Sequence, residues 1–408
     1  MGRSPLQGIR VVDFTWVGVG PMLTRYLGDF GAEVIRIESR TRLDPFRHSP
    51  PFVEQRPGIE RSGHFLNLNT SKRHVTLNLN HPKARQLVRR LVAQADVVAE
   101  NFTSQVMEKW QLAYADLREV RPDLIMLSLS MEGRTGPHRH IAGFGTVLQA
   151  AAGLSHLTGW PDRAPSIPGV AYTDWTTPFF GLVALLAALD YRRRTGIGQY
   201  IDISNLEVGV NCLEAALLDY TVNGREQMRA GNEWMVGDLP GTAPHGVYRC
   251  RGENRWCAIA IFADQEWARF CEVLGSPGWA QEPRFATALG RIRHRDELHA
   301  LVEAWTSQRP AEEVMHRLQT VGIAAGVVQN AADVSRDPQL LHRGHTIVLD
   351  HPEVGPQGYD VPGFHLSASP AQLHPVPLLG QHNVHVFKGL LGLSDEEYDA
   401  LDAEGVFE

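Results

Sequence analysis

Residues 11–38 read VVDFTWVGVGPMLTRYLGDFGAEVIRIE. An apolar run meets a turn carrying Gly18 and Gly20, and a second apolar run closes on an acid, Glu38. Between them, Pro21 stands just inside the start of a helical pattern. Met22, Leu23, Tyr26, Leu27 and Phe30 form its apolar stripe, and Gly31 follows its end. The stretch therefore predicts strand, helix, strand, the unit from which parallel sheets are built. A dinucleotide fingerprint would need a third glycine three positions after Gly20, where Leu23 stands. Pro21 also removes a backbone N–H that would face a pyrophosphate. Glu38 could hold a ribose, but an acid closing a strand is commonplace. NAD is not expected.

Working outward, short β-branched runs alternate with helical patterns through residue 205: IRVVDF, EVIRI, DVVAE, LIMLSLS and YIDIS. The fold class that follows is α/β, a mostly parallel sheet covered by helices. A long helix is expected from about Trp175 to Arg193, with Phe179, Leu182, Val183, Leu186 and Leu189 at helical spacing. From about 224 the chain turns glycine-rich and polar, NGREQMRAGNEWMVGDLPGTAPHG. Two strand-like runs, GVYRC and RWCAIAI, then precede helical patterns at 264–274, 295–306 and 310–321. The expected division is 1–224, a compact α+β unit at 225–330, and a C-terminal segment, 331–408, wrapping back over the first body.

With 408 residues the chain can bury more than one core. Its 43% hydrophobic and 21% charged residues suit a soluble globular protein, and a net charge of −7 argues against a nucleic-acid partner. Cys212, Cys250, Cys257 and Cys271 fall at no zinc-like spacing, so no metal is expected and a reducing compartment is. The N-terminus has no apolar signal core, and the apolar stretch Phe179–Leu189 is too short to span a bilayer. The expectation is a cytoplasmic protein without a membrane partner.

Eight segments, in order over nearly the whole length, resemble the class III coenzyme A transferases, the family of formyl-CoA transferase, carnitine CoA-transferase and α-methylacyl-CoA racemase. They are DFTWVGVGP (13–21), GAEVIRIE (31–38), NLNTSKRHVTLNL (67–79), DVVAENF (96–102), TDWTTPFFGLVALLAAL (173–189), RRTGIGQYIDIS (193–204), DPQL (337–340) and PLLGQH (377–382). The resemblance implies a Rossmann-like large domain built from both chain ends, an inserted smaller α+β domain, and an interlocked homodimer. It implies coenzyme A or acyl-CoA as substrate, with a carboxylic acid as acceptor. Family positions for coenzyme A carry over to Val17, Gly18, Leu77, Asn101, Phe102 and Lys109. Arg40, Lys72 and Arg73 are further phosphate candidates, although any exposed cation would look the same.

The family nucleophile falls on Asp174. By its place in the sequence, Asp174 reads as a helix N-cap, immediately before the long amphipathic helix. In the family, such an aspartate attacks the donor thioester to give a mixed anhydride, and the released thiolate converts this to an aspartyl-CoA thioester. A site of that kind must exclude water. The glycine-containing loop Gly231–Gly246 is a candidate lid, though it lacks a run of four glycines, and His245 within it reads as a solvated loop residue. Racemases of the family need a paired histidine and acid. Their histidine aligns with Phe144, which cannot move a proton; His138, His140 and His156 lie nearby in sequence without aligning. Formyl-CoA transferase carries a tyrosine at the position of Phe144 and a glutamine at that of Gly18. The expected acid is accordingly larger and more apolar than oxalate. Transfer of coenzyme A is the expected activity; a racemase or a non-catalytic CoA-binding protein is the alternative.

Overall fold

The computed structural model describes residues 4–236 and 239–408. Its chain divides into two compact units. The first comprises the chain up to Leu154, Pro168–Cys212 and Gln339–Glu408; the second comprises Ser155–Ile167 and Leu213–Pro338. Residues 213–224 and 331–338 thus group with the second unit.

The first unit is built on six parallel strands: β1 (Arg10–Asp13), β2 (Glu33–Glu38), β3 (Lys72–Thr76), β4 (Val97–Glu100), β5 (Ile125–Ser130) and β6 (Tyr200–Ser204). They lie in the order β3-β2-β1-β4-β5-β6. That is the doubly wound order, in which connections leave β1 toward one edge and return to β4 toward the other. β1 pairs with both, Val11 opposite Val34 on one side and Val97 on the other. The crevice between the carboxyl ends of β1 and β4 is the place where such sheets take ligands.

Consecutive residues of β1 feed opposite faces, as strand geometry requires. Val11 packs with α1 (Val19–Asp29) and a long helix, through Leu23, Leu27, Leu185 and Ala188. Val12 joins the core on the other face with α2 (Pro82–Val92), through Leu87, Val88 and Leu91, and with Val386, Phe387, Val406 and Phe407 near the chain's end. Two further helices carry the site, α3 (Gly145–Ala151) and the long helix α4 (Tyr172–Thr195).

The expectations for the sheet and for the long helix need correction. The sequence shows five strand patterns, and the sheet has a sixth strand, β3. Its polar residues hide the strand signal because their partners are distant in sequence: buried Lys72 meets Asp13 at 3.2 Å, and the backbone N–H of His74 donates to His382. In α4, the spacing predicts that the large apolar residues face the core. Instead Phe179, Val183 and Leu186 are exposed, Val183 at 70%; Leu182 and Leu189 are half-buried against the core, and Thr173, Thr177, Gly181, Leu185 and Ala188 are buried. Close approach to α1 selects the small side: a Cβ at Gly181 would stand 2.4 Å from Leu23 Cδ1.

The second unit packs the antiparallel strands His245–Arg249, Trp256–Ala260 and Ala324–Val327 against helices Asp264–Val273, Arg295–Thr306 and Ala311–Thr320. Its own core includes Tyr248, Phe270, Phe285, Leu298 and Val314. His245 is a strand residue rather than a loop one. Its Nδ1 lies 2.8 Å from the carbonyl of Asn232, and its ring meets Trp234 and Phe262. Within the candidate lid, Gly237 and Asp238 lie outside the described residues. No helix among the described residues is long and apolar enough to cross a membrane.

Candidate active site

The turn after β1 forms the floor of the crevice, and its backbone is strained. Val17 adopts φ +66°, a left-handed conformation that β-branched residues rarely take. Its N–H donates to Asp44 Oδ2 at 3.0 Å, and Arg36 Nη2 holds the same oxygen at 2.6 Å. Gly20 is required where α1 begins, because a Cβ there would fall 2.3 Å from Thr15 Cβ. Across the switch point, the Asn101 side chain bridges to the β1 loop. It accepts from the Trp16 N–H and donates to the Trp16 carbonyl, each at 2.8 Å. Asn101 therefore fixes the two loops that bound the crevice.

Two adjacent chambers, an outer and an inner, lie here and share Val17, Asn101, Phe102 and Phe144 in their walls. The outer one, about 480 Å³, is lined by Val17, Leu77, Asn101, Phe102 and Lys109, five of the residues expected to meet coenzyme A. An aromatic row, Trp16, Phe102 and Trp110, runs through it with successive centroids 5.6 and 5.4 Å apart. Arg42 lies over the Trp16 ring, 5.7 Å from its centroid. Arg42 and Lys109 are exposed, and neither has an acidic partner among the described residues. Arg42 and Trp16 are not evident from the sequence. An arginine four residues after a strand's end looks like any surface cation until the fold turns it over an aromatic face.

Three other candidates are placed differently. Lys72 is fully enclosed, with its ammonium between Asp13, the Pro21 carbonyl and Asn69 Oδ1; burial pulls it down to about 8 against the pull of Asp13. It cannot reach a ligand phosphate. Arg40 is exposed but does not line the crevice, and Arg73 pairs with Glu33 at 3.0 Å. Glu38 is likewise committed. Burial pushes its carboxyl up, but Arg36 and Arg47 hold it down at about 2.

The inner chamber, about 170 Å³, is lined by Val17, Gly18, Phe102, Arg139, Phe144, Gly145 and Asp174 among others. Phe144 is 70% exposed and borders both chambers. Asp174 is the third residue of α4, not its N-cap; Ala171 takes that place without a side-chain bond, and Gln149 Oε1 accepts the Tyr172 N–H instead. The Asp174 carboxylate is thereby freed from capping. It lies against Gly145, where an added Cβ would come within 2.4 Å of Oδ1. Among the described residues it has no hydrogen-bond partner. Burial alone pushes its pKa up to about 6.

A carboxylate left unpaired in a ligand chamber is a mark of function, since structural acids are ordinarily paired. At pH 7 it remains about 90% ionised. If ionised Asp174 does the chemistry, kcat/KM falls about tenfold per pH unit below about 6. A pH–rate profile checks this, and an acid limb near 4 would count against it. Among the described residues no histidine lines the inner chamber; His140 borders a separate cavity, and His156 belongs to the second unit.

An open parallel sheet with a cationic, aromatic crevice at its switch point and a bare carboxylate beyond it defines an α/β enzyme for an extended, nucleotide-like ligand. Comparison with known proteins agrees. The family described as CoA-transferase family III matches residues 6–383. Succinyl-CoA--D-citramalate CoA-transferase of Chloroflexus aurantiacus is 34% identical over 403 residues, 98% of each chain. Succinyl-CoA:glutarate CoA-transferase of Mus musculus is 32% identical, over 99% of this chain and 91% of that one. A CAIB/BAIF family protein from Brucella suis superposes with TM-score 0.86 at 33% identity, over 95% of this chain and all of the other. The chain belongs to CoA-transferase family III.

Proposed function

We propose that the protein moves coenzyme A from a dicarboxylic acyl-CoA to a second carboxylic acid, with Asp174 as covalent carrier. The observation that carries this reading is the Asp174 carboxylate, unpartnered among the described residues, in a chamber that adjoins the crevice at the switch point. The names of similar transferases, with succinyl-CoA as the CoA donor to citramalate or glutarate, support the substrate class. Coenzyme A would lie along the outer chamber, its phosphates near Lys109 and Arg42 and its thioester beside Asp174.

The steps balance without net proton movement. An Asp174 oxygen attacks the thioester carbonyl, the C–S bond breaks, and CoA thiolate leaves a mixed anhydride. The thiolate then attacks the aspartyl carbonyl, releasing the donor acid and leaving aspartyl-CoA. The acceptor carboxylate attacks that thioester, and the freed thiolate takes the acceptor acyl group and returns Asp174 to its carboxylate. A nucleophile ionised at neutral pH needs no partner base, which suits a chamber without histidine. A racemase would need such a group on the second face of the α-carbon.

Incubation with succinyl-CoA followed by hydroxylamine should leave a hydroxamate on Asp174, read by peptide mass. An unmodified Asp174, with deuterium entering the substrate's α-position instead, would establish the racemase reading. We further propose that the chain functions as an interlocked homodimer, which would cover the exposed apolar stripe Phe179, Val183 and Leu186. Some relatives are named as alpha and beta subunits. Sedimentation at micromolar concentration should give twice the chain mass, and a monomer would remove this proposal.

A further inference from the structure

Among the described residues, the wall of the inner chamber carries one cationic side chain in addition to the Asp174 carboxylate. Its wall is otherwise mostly apolar or backbone, with Val19, Leu129, Met131 and Ile141 contributing. The cation is Arg139, on the loop between β5 and α3. No acidic group pairs with its guanidinium among the described residues. The chamber wall therefore includes two residues of opposite charge, a carboxylate that would attack one end of an acyl chain and an arginine suited to hold the other.

We propose that Arg139 binds the distal carboxylate of the donor and acceptor acids and so selects dicarboxylates over monocarboxylates. This rests on the reading of Asp174 as the attacking group. Arg139 is exposed, but its guanidinium is held by a neighbour. Its Nε donates to His140 Nε2 at 3.0 Å, and His140 Nδ1 lies 2.8 Å from Ser104 Oγ. An imidazole accepting at Nε2 keeps its proton on Nδ1, so it donates to Ser104, and the loop is tied to the carboxyl end of β4. With Nε occupied, the two Nη groups are left to form a forked pair with a carboxylate, the geometry for which arginine is suited. On its other side Arg139 borders a second cavity, whose buried Glu100 is already paired with Arg134.

The arrangement sets a size as well as a charge. A chamber of about 170 Å³ with Phe144 in its wall has room for an acyl chain of a few carbons. Oxalate, whose carboxyl groups are directly bonded, has no methylenes to span that space.

The test compares succinyl-CoA with butyryl-CoA, which replaces the distal carboxylate by a methyl group at equal chain length. The wild-type enzyme should prefer succinyl-CoA in kcat/KM, and Arg139→Gln should cut that preference roughly 10- to 100-fold, chiefly through KM for succinyl-CoA. Arg139→Lys, which keeps the charge without the fork, should fall between. Equal losses for the two donors would mean that Arg139 serves the coenzyme A portion or the fold, and would overturn the assignment. So would a wild-type enzyme indifferent to the distal carboxylate, or a ratio unchanged in the variant. Hydroxylamine trapping on the same samples separates the two readings. Asp174 labelled in wild type with no change of ratio in the variant defeats only the role of Arg139, whereas no label with either donor defeats the carrier.

Discussion

Replacing Asp174 with Asn should abolish acyl exchange, by roughly 10⁴-fold or more, the scale on which removal of a covalent nucleophile falls. The substitution keeps the side chain's shape and removes its charge, so the crevice should still bind coenzyme A. It should also stabilise the fold. The native carboxyl stands at about 6 against an ordinary value of 3.8, a difference worth on the order of 1–3 kcal/mol. The sign follows from the raised value. Below about 4 the group is protonated in folded and unfolded chains alike, and no penalty exists. As pH rises from about 4 to about 6, the unfolded chain releases the proton first, and the native state loses stability relative to it. An amide does not titrate and would escape that loss, so the melting temperature of Asp174→Asn should exceed that of wild type at pH 7 by several degrees and match it near pH 4. An inactive variant that melts lower at pH 7 would indicate a structural partner for Asp174, and a variant with full exchange activity would end the proposal. A stability cost retained at a catalytic position is a common compromise between folding and activity.

What can be read from the sequence is what depends on neighbours. The pairs of apolar strands, the stripe of α1 and the helices of the second unit rest on local periodicity, and they stand within a residue or two of their expected positions. Val17, Gly18, Leu77, Asn101, Phe102 and Lys109 come together because they follow strand ends at one edge of the sheet. Features that depend on distant partners are not legible there. Lys72 looks like a phosphate ligand because nothing nearby announces Asp13, and β3 is hidden for the same reason. The inversion of α4 has a related cause. Periodicity finds the apolar side of a helix but does not say how much of that side meets the chain's own core; here Leu185 and the small residues do, Leu182 and Leu189 lie at its margin, and Phe179, Val183 and Leu186 are left outward. Arg139 is inconspicuous in a loop of histidines, although that loop leaves the carboxyl end of β5, the ligand edge of a parallel sheet, which is a signal that could have found it.

Gly145→Ala should inactivate the enzyme without unfolding it. Gly145 opens α3 with an ordinary helical backbone, so alanine meets no conformational penalty and improves helix propensity by up to about 1 kcal/mol. The added methyl has nowhere to go. Its Cβ would lie 2.4, 2.5 and 2.6 Å from Oδ1, Cγ and Oδ2 of Asp174, where ordinary contact begins at 3.4 Å. The carboxylate must retreat by roughly 1 Å, a displacement that can cost about 100-fold when it moves an attacking group off line. The loss should appear in kcat, with KM for the acyl-CoA little changed, because the methyl touches the nucleophile and not the outer chamber. The same methyl removes water from the carboxylate, so the acid limb of the pH profile should move above about 6. Asp174→Asn cannot separate the charge of that side chain from its position, whereas Gly145→Ala alters position and leaves the group in place. Wild-type kcat in the alanine variant would mean that the carboxylate works from a different rotamer, and the inner chamber would then no longer describe the reacting geometry.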